Sequence, residues 1–407
     1  MLKSNHLFAF AVSTVITLPA FGANLSRLVV VGDSLSAGVE NFSLLDSQQT
    51  HGYASLIAQQ AGVPLTLPLV PYPGAPNVLQ LRSFGPPPDV EPAQGTLLFP
   101  RDNPLIEPFN VSVPGVTVNQ ALTLRPTLDP NALPVQQWAT IVLGFPNLLF
   151  GQAPTEIELA QQLHPTTIIE ALGNNDALVP VLTGAISSMT PVSSFMSDYR
   201  AVLDKLASTG ATLIVTTVPD VTEVPFFIPG QAIMEQAHLT ADQLHVLLGI
   251  NPGDYVRITG ESLIDHALTS GDPVNLSAEN CPSPLAALTP HPIPCVLTET
   301  DAATVRKTVN SYNSGITAAA ASHNATVVDL HALVDRIYAN GYDAIGHHLT
   351  ATFLGGLFSV DGIHPTNTGY AIIANEFIST MNSSLHTNIR AVNVDVVAAQ
   401  DPLVFNK

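Results

Sequence analysis

Five short apolar runs, each closing on a glycine or a small polar residue and separated by stretches with helical periodicity, limit this chain to very few architectures. Leu28–Val31 runs into Gly32-Asp33-Ser34, and Phe109–Val113 into Pro114-Gly115. Thr166–Leu172 leads to Gly173-Asn174-Asn175-Asp176, and Thr212–Val218 and Thr326–Leu330 complete the set. Runs this short, rich in β-branched residues and lacking apolar/polar alternation, read as parallel strands buried on both faces. Helical candidates at Tyr53–Ala61, Val118–Leu124, Val192–Ala207, Ala332–Ala339 and Thr368–Met381 lie between or beyond them. The expected fold is α/β: a three-layer α/β/α sandwich around a mostly parallel five-stranded sheet. In such sheets ligands bind beyond the carboxyl ends of the strands, where the polar clusters above are placed.

The rest of the chain reads as additions to that domain. Residues about 63–108 include Pro86-Pro87-Pro88 and are expected to lack regular structure. A second insertion, about 221–300, contains a candidate helix at Gln231–Leu248. The expected organisation is a signal peptide at 1–22, one domain at 23–390 carrying both insertions, and a C-terminal tail at 391–407. Lys3, the apolar run Leu7–Leu18 and the small residues up to Ala23 have the form of a secretory signal. The alternatives are an uncleaved anchor or an ordinary buried helix. The run is short against the roughly 20 residues of a membrane span, so no stable transmembrane anchor is expected, and the mature protein is placed outside the cytoplasm, secreted or periplasmic.

A net charge of −19 speaks against nucleic acid as a partner, because phosphate binding needs a basic face. Only 11% of residues are charged and 46% are hydrophobic, which suits an apolar substrate without requiring one. The two cysteines, Cys281 and Cys295, are expected to pair in an oxidising compartment, the alternative being two free thiols.

Ser34 stands where a strand turns into a helix, with Ser36, Ala37 and Gly38 behind it. A serine hydroxyl is a weak nucleophile without a base within hydrogen-bond reach. Of thirteen histidines, His364 follows Asp361 by three residues in Asp361-Gly362-Ile363-His364-Pro365. This spacing allows the carboxylate to hold one imidazole nitrogen while the other faces the serine. Alone, the same pattern also describes a turn in which Asp361 caps the following helix and His364 is an ordinary polar residue. Asp33 and Asp176 are expected to hydrogen-bond local backbone rather than take part in chemistry. His347-His348, with His331 and Asp335, make a poor metal site because adjacent histidines rarely point the same way; no metal and no organic cofactor are expected. Trp138 and Gly144-Phe145-Pro146 are assigned to packing or loops.

Gly32-Asp33-Ser34-Leu35, Gly115, Gly173-Asn174-Asn175-Asp176 and Asp361-Gly362-Ile363-His364 occur in the order of the four sequence blocks of the SGNH hydrolases, also called the GDSL esterase/lipase family, which the chain resembles. The second block, Asn110–Gly115, matches more loosely. The resemblance implies a flavodoxin-like α/β fold, Ser34 as nucleophile, His364 as base and Asp361 as its orienting acid. It also implies an oxyanion hole made by the backbone N–H groups of Ser34 and Gly115 and the side-chain amide of Asn175. No Gly-x-Ser-x-Gly surrounds any serine, unlike the nucleophile elbow of the α/β-hydrolases. The implied activity is hydrolysis of carboxylic esters through an acyl-serine intermediate, on a small-molecule or lipid ester. An acetyl esterase acting on carbohydrate, an acyltransferase of the same fold and a non-catalytic secreted binding protein remain as alternatives, and the sequence leaves the oligomeric state open.

Overall fold

The computed structural model describes residues 22–84, 88–282 and 293–405. The expected signal peptide, apart from residue 22, lies outside the described residues, as do Pro86 and Pro87 of the first insertion.

Four strands, Leu28–Gly32, Thr167–Ala171, Thr212–Thr216 and Thr326–Val328, pair in that order, all parallel. Their register aligns Val30 with Ile169 and Ile169 with Ile214. Because side chains alternate along a strand, Val29, Val31, Ile168, Leu213 and Val215 enter one core cluster, while Leu28, Val30, Ile169, Ile214 and Val328 enter another. The first is closed by the helices Val192–Ala207 and Glu299–Ser322, through Phe195, Tyr199, Val305 and Tyr312 among others. The second is closed by Tyr53–Ala61 and Asn367–Ser384, where Tyr53 stacks on Phe377 with ring centroids 4.7 Å apart. Full burial of each such aliphatic side chain contributes about 1.5–3 kcal/mol, so both faces need their helices and the three-layer α/β/α arrangement follows.

The expected fifth strand is reduced to an isolated bridge between Val30 and Asn110. Residues 109–113 do run along the first strand, with Val111 N–H donating to Val30 O at 2.9 Å and Val113 N–H to Gly32 O at 3.0 Å. Val30 N–H also donates to Phe109 O at 2.9 Å, but the ladder goes no further because the Gly32 N–H that would bond residue 111 donates instead to Glu156 Oε1 at 2.6 Å.

The first insertion is not devoid of regular structure. Leu79–Ser83 and Asp89–Pro92 form an antiparallel hairpin in which Pro92 takes the last position of its strand. In the second insertion, Phe227–Pro229, Tyr255–Arg257 and Val296–Leu297 form a small antiparallel sheet. With the helices Gly230–Gln236, Ala241–Leu248 and Glu261–Ser270 it encloses its own core of Ile233, Leu244, Leu248, Ile250 and Ile264. The single helix expected over 231–248 is split because His238 adopts a φ of 54° and Thr240 begins a new helix with a capping box to Gln243. A disulfide joins Cys281 to Cys295 at the edge of this core. The C-terminal segment packs against the domain: Val394, Ala398 and Val404 join the second core cluster. The fully buried Asp401 accepts from Thr368 N–H at 2.9 Å and Thr368 Oγ1 at 2.7 Å. Among the described residues no helix is long and apolar enough to cross a membrane.

Candidate active site

The carboxyl end of the first strand delivers Ser34 to the surface of the sheet. Gly32 is needed there because a Cβ would come within 2.3 Å of Ser36 Oγ and 3.1 Å of Ala171 O. Asp33 then caps the short helix Ser34–Ala37 by accepting from Leu35 N–H at 3.1 Å, which leaves Ser34 as its first, part-exposed residue. Asp33 also reaches well beyond the turn: its other oxygen accepts from Asn174 Nδ2 at 2.8 Å and Asn175 Nδ2 at 3.3 Å. Burial lifts the Asp33 carboxyl to about 6, against the pull of the Asn174 and Leu35 hydrogen bonds and of the nearby His364 charge.

Gly173-Asn174-Asn175-Asp176 opens the helix Asn174–Leu182 after the second strand of the sheet. Asn175 is buried and donates a second hydrogen bond to Val116 O at 3.0 Å, which holds its amide beside Gly115. Gly115 has a φ of +80°, and a Cβ on it would stand 3.2 Å from the Trp138 ring, so glycine is required on both counts. Asp176 accepts from Val118 N–H at 3.0 Å and thereby joins the third block to the second. Both aspartates were expected to hydrogen-bond local backbone; Asp33 does so at Leu35, and each in addition ties together loops that lie far apart in the chain.

Asp361 and His364 occupy a turn in front of the helix Asn367–Ser384. His364 Nδ1 lies 2.8 Å from Asp361 Oδ2. Asp361 further accepts from Phe42 N–H at 2.6 Å, Ile363 N–H at 2.7 Å and His364 N–H at 2.8 Å. Burial by itself would raise this carboxyl, yet the His364 charge, the ring hydrogen bond and the two backbone donors of its own turn hold it below the usual carboxylate range. The turn closes with Ser359 N–H to His364 O at 2.8 Å and is anchored to the second insertion by Phe226 N–H to Gly362 O at 2.8 Å.

Ser34, Gly115, Asn175 and His364 line one solvent-open cavity. Ser34 and His364 also line a larger adjoining cavity, whose wall is likewise mostly apolar. The five residues singled out in the sequence for chemistry are thus brought together at the carboxyl ends of the strands, although Ser34 and His364 are separated by most of the chain. Sequence reasoning missed Trp138, which walls the smaller cavity, covers Gly115 and donates from Nε1 to Ala75 O at 3.2 Å. Its being the chain's one tryptophan was the available signal. Also missed was a buried carboxyl pair behind the nucleophile turn. Glu156 accepts from Gly32 N–H at 2.6 Å, and Glu170 accepts from Tyr199 Oη at 2.7 Å and Leu172 N–H at 3.1 Å. Burial pushes Glu170 up to about 8 and Glu156 well above its ordinary value. His348 bonds Asp343 at 2.7 Å and His331 Nδ1 contacts Val218 O at 3.1 Å, both outside the site. No group of three or more His, Cys, Asp or Glu suited to a metal ion occurs among the described residues.

A three-layer α/β domain whose strand ends gather a serine, a histidine and amide donors has the layout of a hydrolase. The model of the GDSL-like lipase/acylhydrolases matches residues 28–377, so the chain belongs to that family and is a hydrolase acting on ester bonds. No curated protein matches it. Among solved structures it is similar to LAE5, an alpha/beta hydrolase enzyme from the metagenome of Lake Arreo, at 14% identity over 89% of this chain and 97% of that one, with a TM-score of 0.38. A catalytic mutant of Axe2, an acetylxylan esterase from Geobacillus stearothermophilus, aligns at 12% identity over 89% and 96%, TM-score 0.38. An extracellular lipase from Streptomyces rimosus aligns at 13% identity over 88% and 98%, TM-score 0.34.

Proposed function

We propose that the protein is a secreted serine esterase or lipase that cleaves carboxylic esters through an acyl-Ser34 intermediate. The observation that carries this reading is the part-exposed Ser34 and the buried His364 lining one cavity, with His364 Nδ1 fixed at 2.8 Å from Asp361 Oδ2. Ser34 Oγ attacks the ester carbonyl carbon and its proton passes to His364 Nε2. Asp361 holds the tautomer with the proton on Nδ1 and stabilises the imidazolium that forms. The negative charge that develops on the carbonyl oxygen is met by the N–H groups of Ser34 and Gly115 and by Asn175 Nδ2. The longer bond of that amide, 3.3 Å to Asp33, is the one an oxyanion replaces. Expulsion of the alcohol takes the proton from His364; water, activated by the same base, then releases the acid and restores Ser34.

Ser34→Ala is the test. Loss of p-nitrophenyl ester hydrolysis, and loss of the covalent fluorophosphonate label carried by the native protein, are expected; near-native turnover in the variant would overturn the assignment. A native protein that folds, takes no label and hydrolyses nothing would instead be a binding protein on the same scaffold. Export is proposed from the apolar run Leu7–Leu18, and the Cys281–Cys295 disulfide is compatible with it. Amino-terminal sequencing of protein recovered outside the cytoplasm should begin near Ala23; a retained Met1 would refute cleavage.

A further inference from the structure

Two cavities meet at the reacting atoms. The residues that line both are Ser34, His364, Leu178 and Ile363. The smaller extends past Gly115 and Asn175 toward Trp138, Val179 and Leu182. The larger extends away from them, between the helix Leu330–Asn340, through Leu333, Val334 and Ile337, and Val221 and Val224 of the second insertion.

An ester has two substituents that diverge from the carbonyl carbon, and a bond cleaved by Ser34 has to sit where the cavities join. We infer, resting on the acyl-Ser34 reading above, that the substrate is a neutral ester with hydrocarbon on both sides of the scissile bond. One cavity receives the acyl chain and the other the alcohol portion.

The polar groups in the walls support apolar occupants. In the larger cavity, Asp33 accepts from Leu35, Asn174 and Asn175, and buried Asp220 accepts from Thr222 N–H at 2.8 Å and Thr222 Oγ1 at 2.7 Å. In the smaller, Ser43 Oγ donates to Pro76 O at 2.6 Å and Trp138 Nε1 to Ala75 O at 3.2 Å. These groups are few in walls that are otherwise mostly apolar, and each already has a protein partner. A sugar ring placed in either cavity would bury more hydroxyls than the walls can bond, each unmet one weakening binding by about fivefold or more, whereas each methylene that enters an apolar wall gains a factor of up to about four in binding.

The experiment measures kcat/KM on two ester series, one varying the acyl group from acetyl to palmitoyl on p-nitrophenol, the other varying the alcohol from methyl to decyl on a fixed acyl group. A peracetylated pentose is the polar comparison. The native enzyme is expected to favour a medium-chain acyl ester over acetyl by at least about thirtyfold, as several methylenes imply, and to turn over the sugar ester poorly. Val334→Phe narrows the larger cavity and Val179→Phe the smaller; both positions are part-exposed, so the added bulk is tolerated by the fold. Each variant should shorten the accepted chain in a different series, by about tenfold or more for the longest members, with the shortest esters little changed. Preference for the sugar ester, both variants acting on the same series, or neither acting on any, would overturn the inference while Ser34-dependent hydrolysis stood. Hydrolysis that survives Ser34→Ala would overturn the underlying reading and this inference with it.

Discussion

Asp33 Oδ2 lies 3.3 Å from Asn175 Nδ2, so the carboxylate that caps the helix of Ser34 also holds the side chain assigned to stabilise the oxyanion. Nucleophile and amide donor come from the ends of neighbouring parallel strands, Leu28–Gly32 and Thr167–Ala171. This one bond, with Asn175 Nδ2 to Val116 O at 3.0 Å, sets their relative position before substrate arrives. The Val116 bond can stay while the longer Asp33 bond gives way, so the amide exchanges one partner without having to move as charge develops.

Replacing Asn175 by Ala should therefore lower kcat about 100- to 1,000-fold with a much smaller change in KM, as expected for a donor that acts in the transition state. Steady-state kinetics on a p-nitrophenyl ester check this. A loss confined to KM would mean that the amide binds ground-state substrate.

Asp361→Asn keeps the shape of the turn but not its charge. The side chain then fails to fix the proton on His364 Nδ1 and to stabilise the imidazolium, and kcat should fall by about three to four orders of magnitude. Asp361 is held below the usual carboxylate range, so its contribution to stability is present above its unfolded pKa and is lost as pH falls through the lower folded value. Acid unfolding curves of native protein and variant should differ most at neutral pH and converge at the acid end.

Gly115→Ala places a Cβ 3.2 Å from Trp138 on a backbone with φ +80°. The loop must shift, carrying its N–H away from the cavity, and activity should drop by about tenfold or more while the sheet, and so the far-ultraviolet circular dichroism, is retained. Unaltered kinetics would remove Gly115 from the oxyanion hole.

Glu170 is fully buried and raised from 4.5 to about 8. Below the unfolded value both states are protonated. Between the two values the folded protein binds more protons than the unfolded chain, so stability falls as pH rises, and above the folded value the slope vanishes. Tm should thus decline from about pH 5 to about pH 8, and Glu170→Gln, which keeps an acceptor for Tyr199, should flatten that decline. An identical slope in the variant would assign the effect to other groups.

The Cys281–Cys295 disulfide closes a loop with a sequence separation of 14, for which chain entropy predicts about 3 kcal/mol of stabilisation. Removing it as the double Ala variant should lower the unfolding midpoint of the second insertion, read by denaturant titration. Turnover at ambient temperature should stay within a few-fold, because neither cysteine lines the two cavities.

Much of the frame is legible in the sequence because burial on both faces leaves a direct mark. The runs at 28–31, 166–172 and 212–218 lack the apolar/polar alternation of a half-exposed strand, and the helices Tyr53–Ala61 and Val192–Ala207 have the boundaries that periodicity gives. The 24-residue helix Glu299–Ser322 escaped notice because its buried face is a thin line of Val305, Val309, Tyr312 and Ile316 among Thr, Ser, Asn and Ala. The strand expected at 109–113 is cut short for the opposite reason: its composition is right, but the Gly32 N–H that would extend its ladder is taken by Glu156, a side chain remote in sequence.

The sequence by itself determined the chemical parts: a serine at a strand-to-helix turn, an Asp-x-x-His before a helix, and glycine and asparagine at two further strand ends. These are local patterns, fixed by residues within hydrogen-bonding range along the chain. Their assembly was decided only in the tertiary structure, since contacts such as Phe42 N–H to Asp361, Asn175 to Val116 and Trp138 over Gly115 join segments from 23 to 319 positions apart. The shape of the two cavities belongs to the same class: their walls come from helices, turns and insertions that meet because each buries an apolar face, and no local pattern encodes which faces will meet.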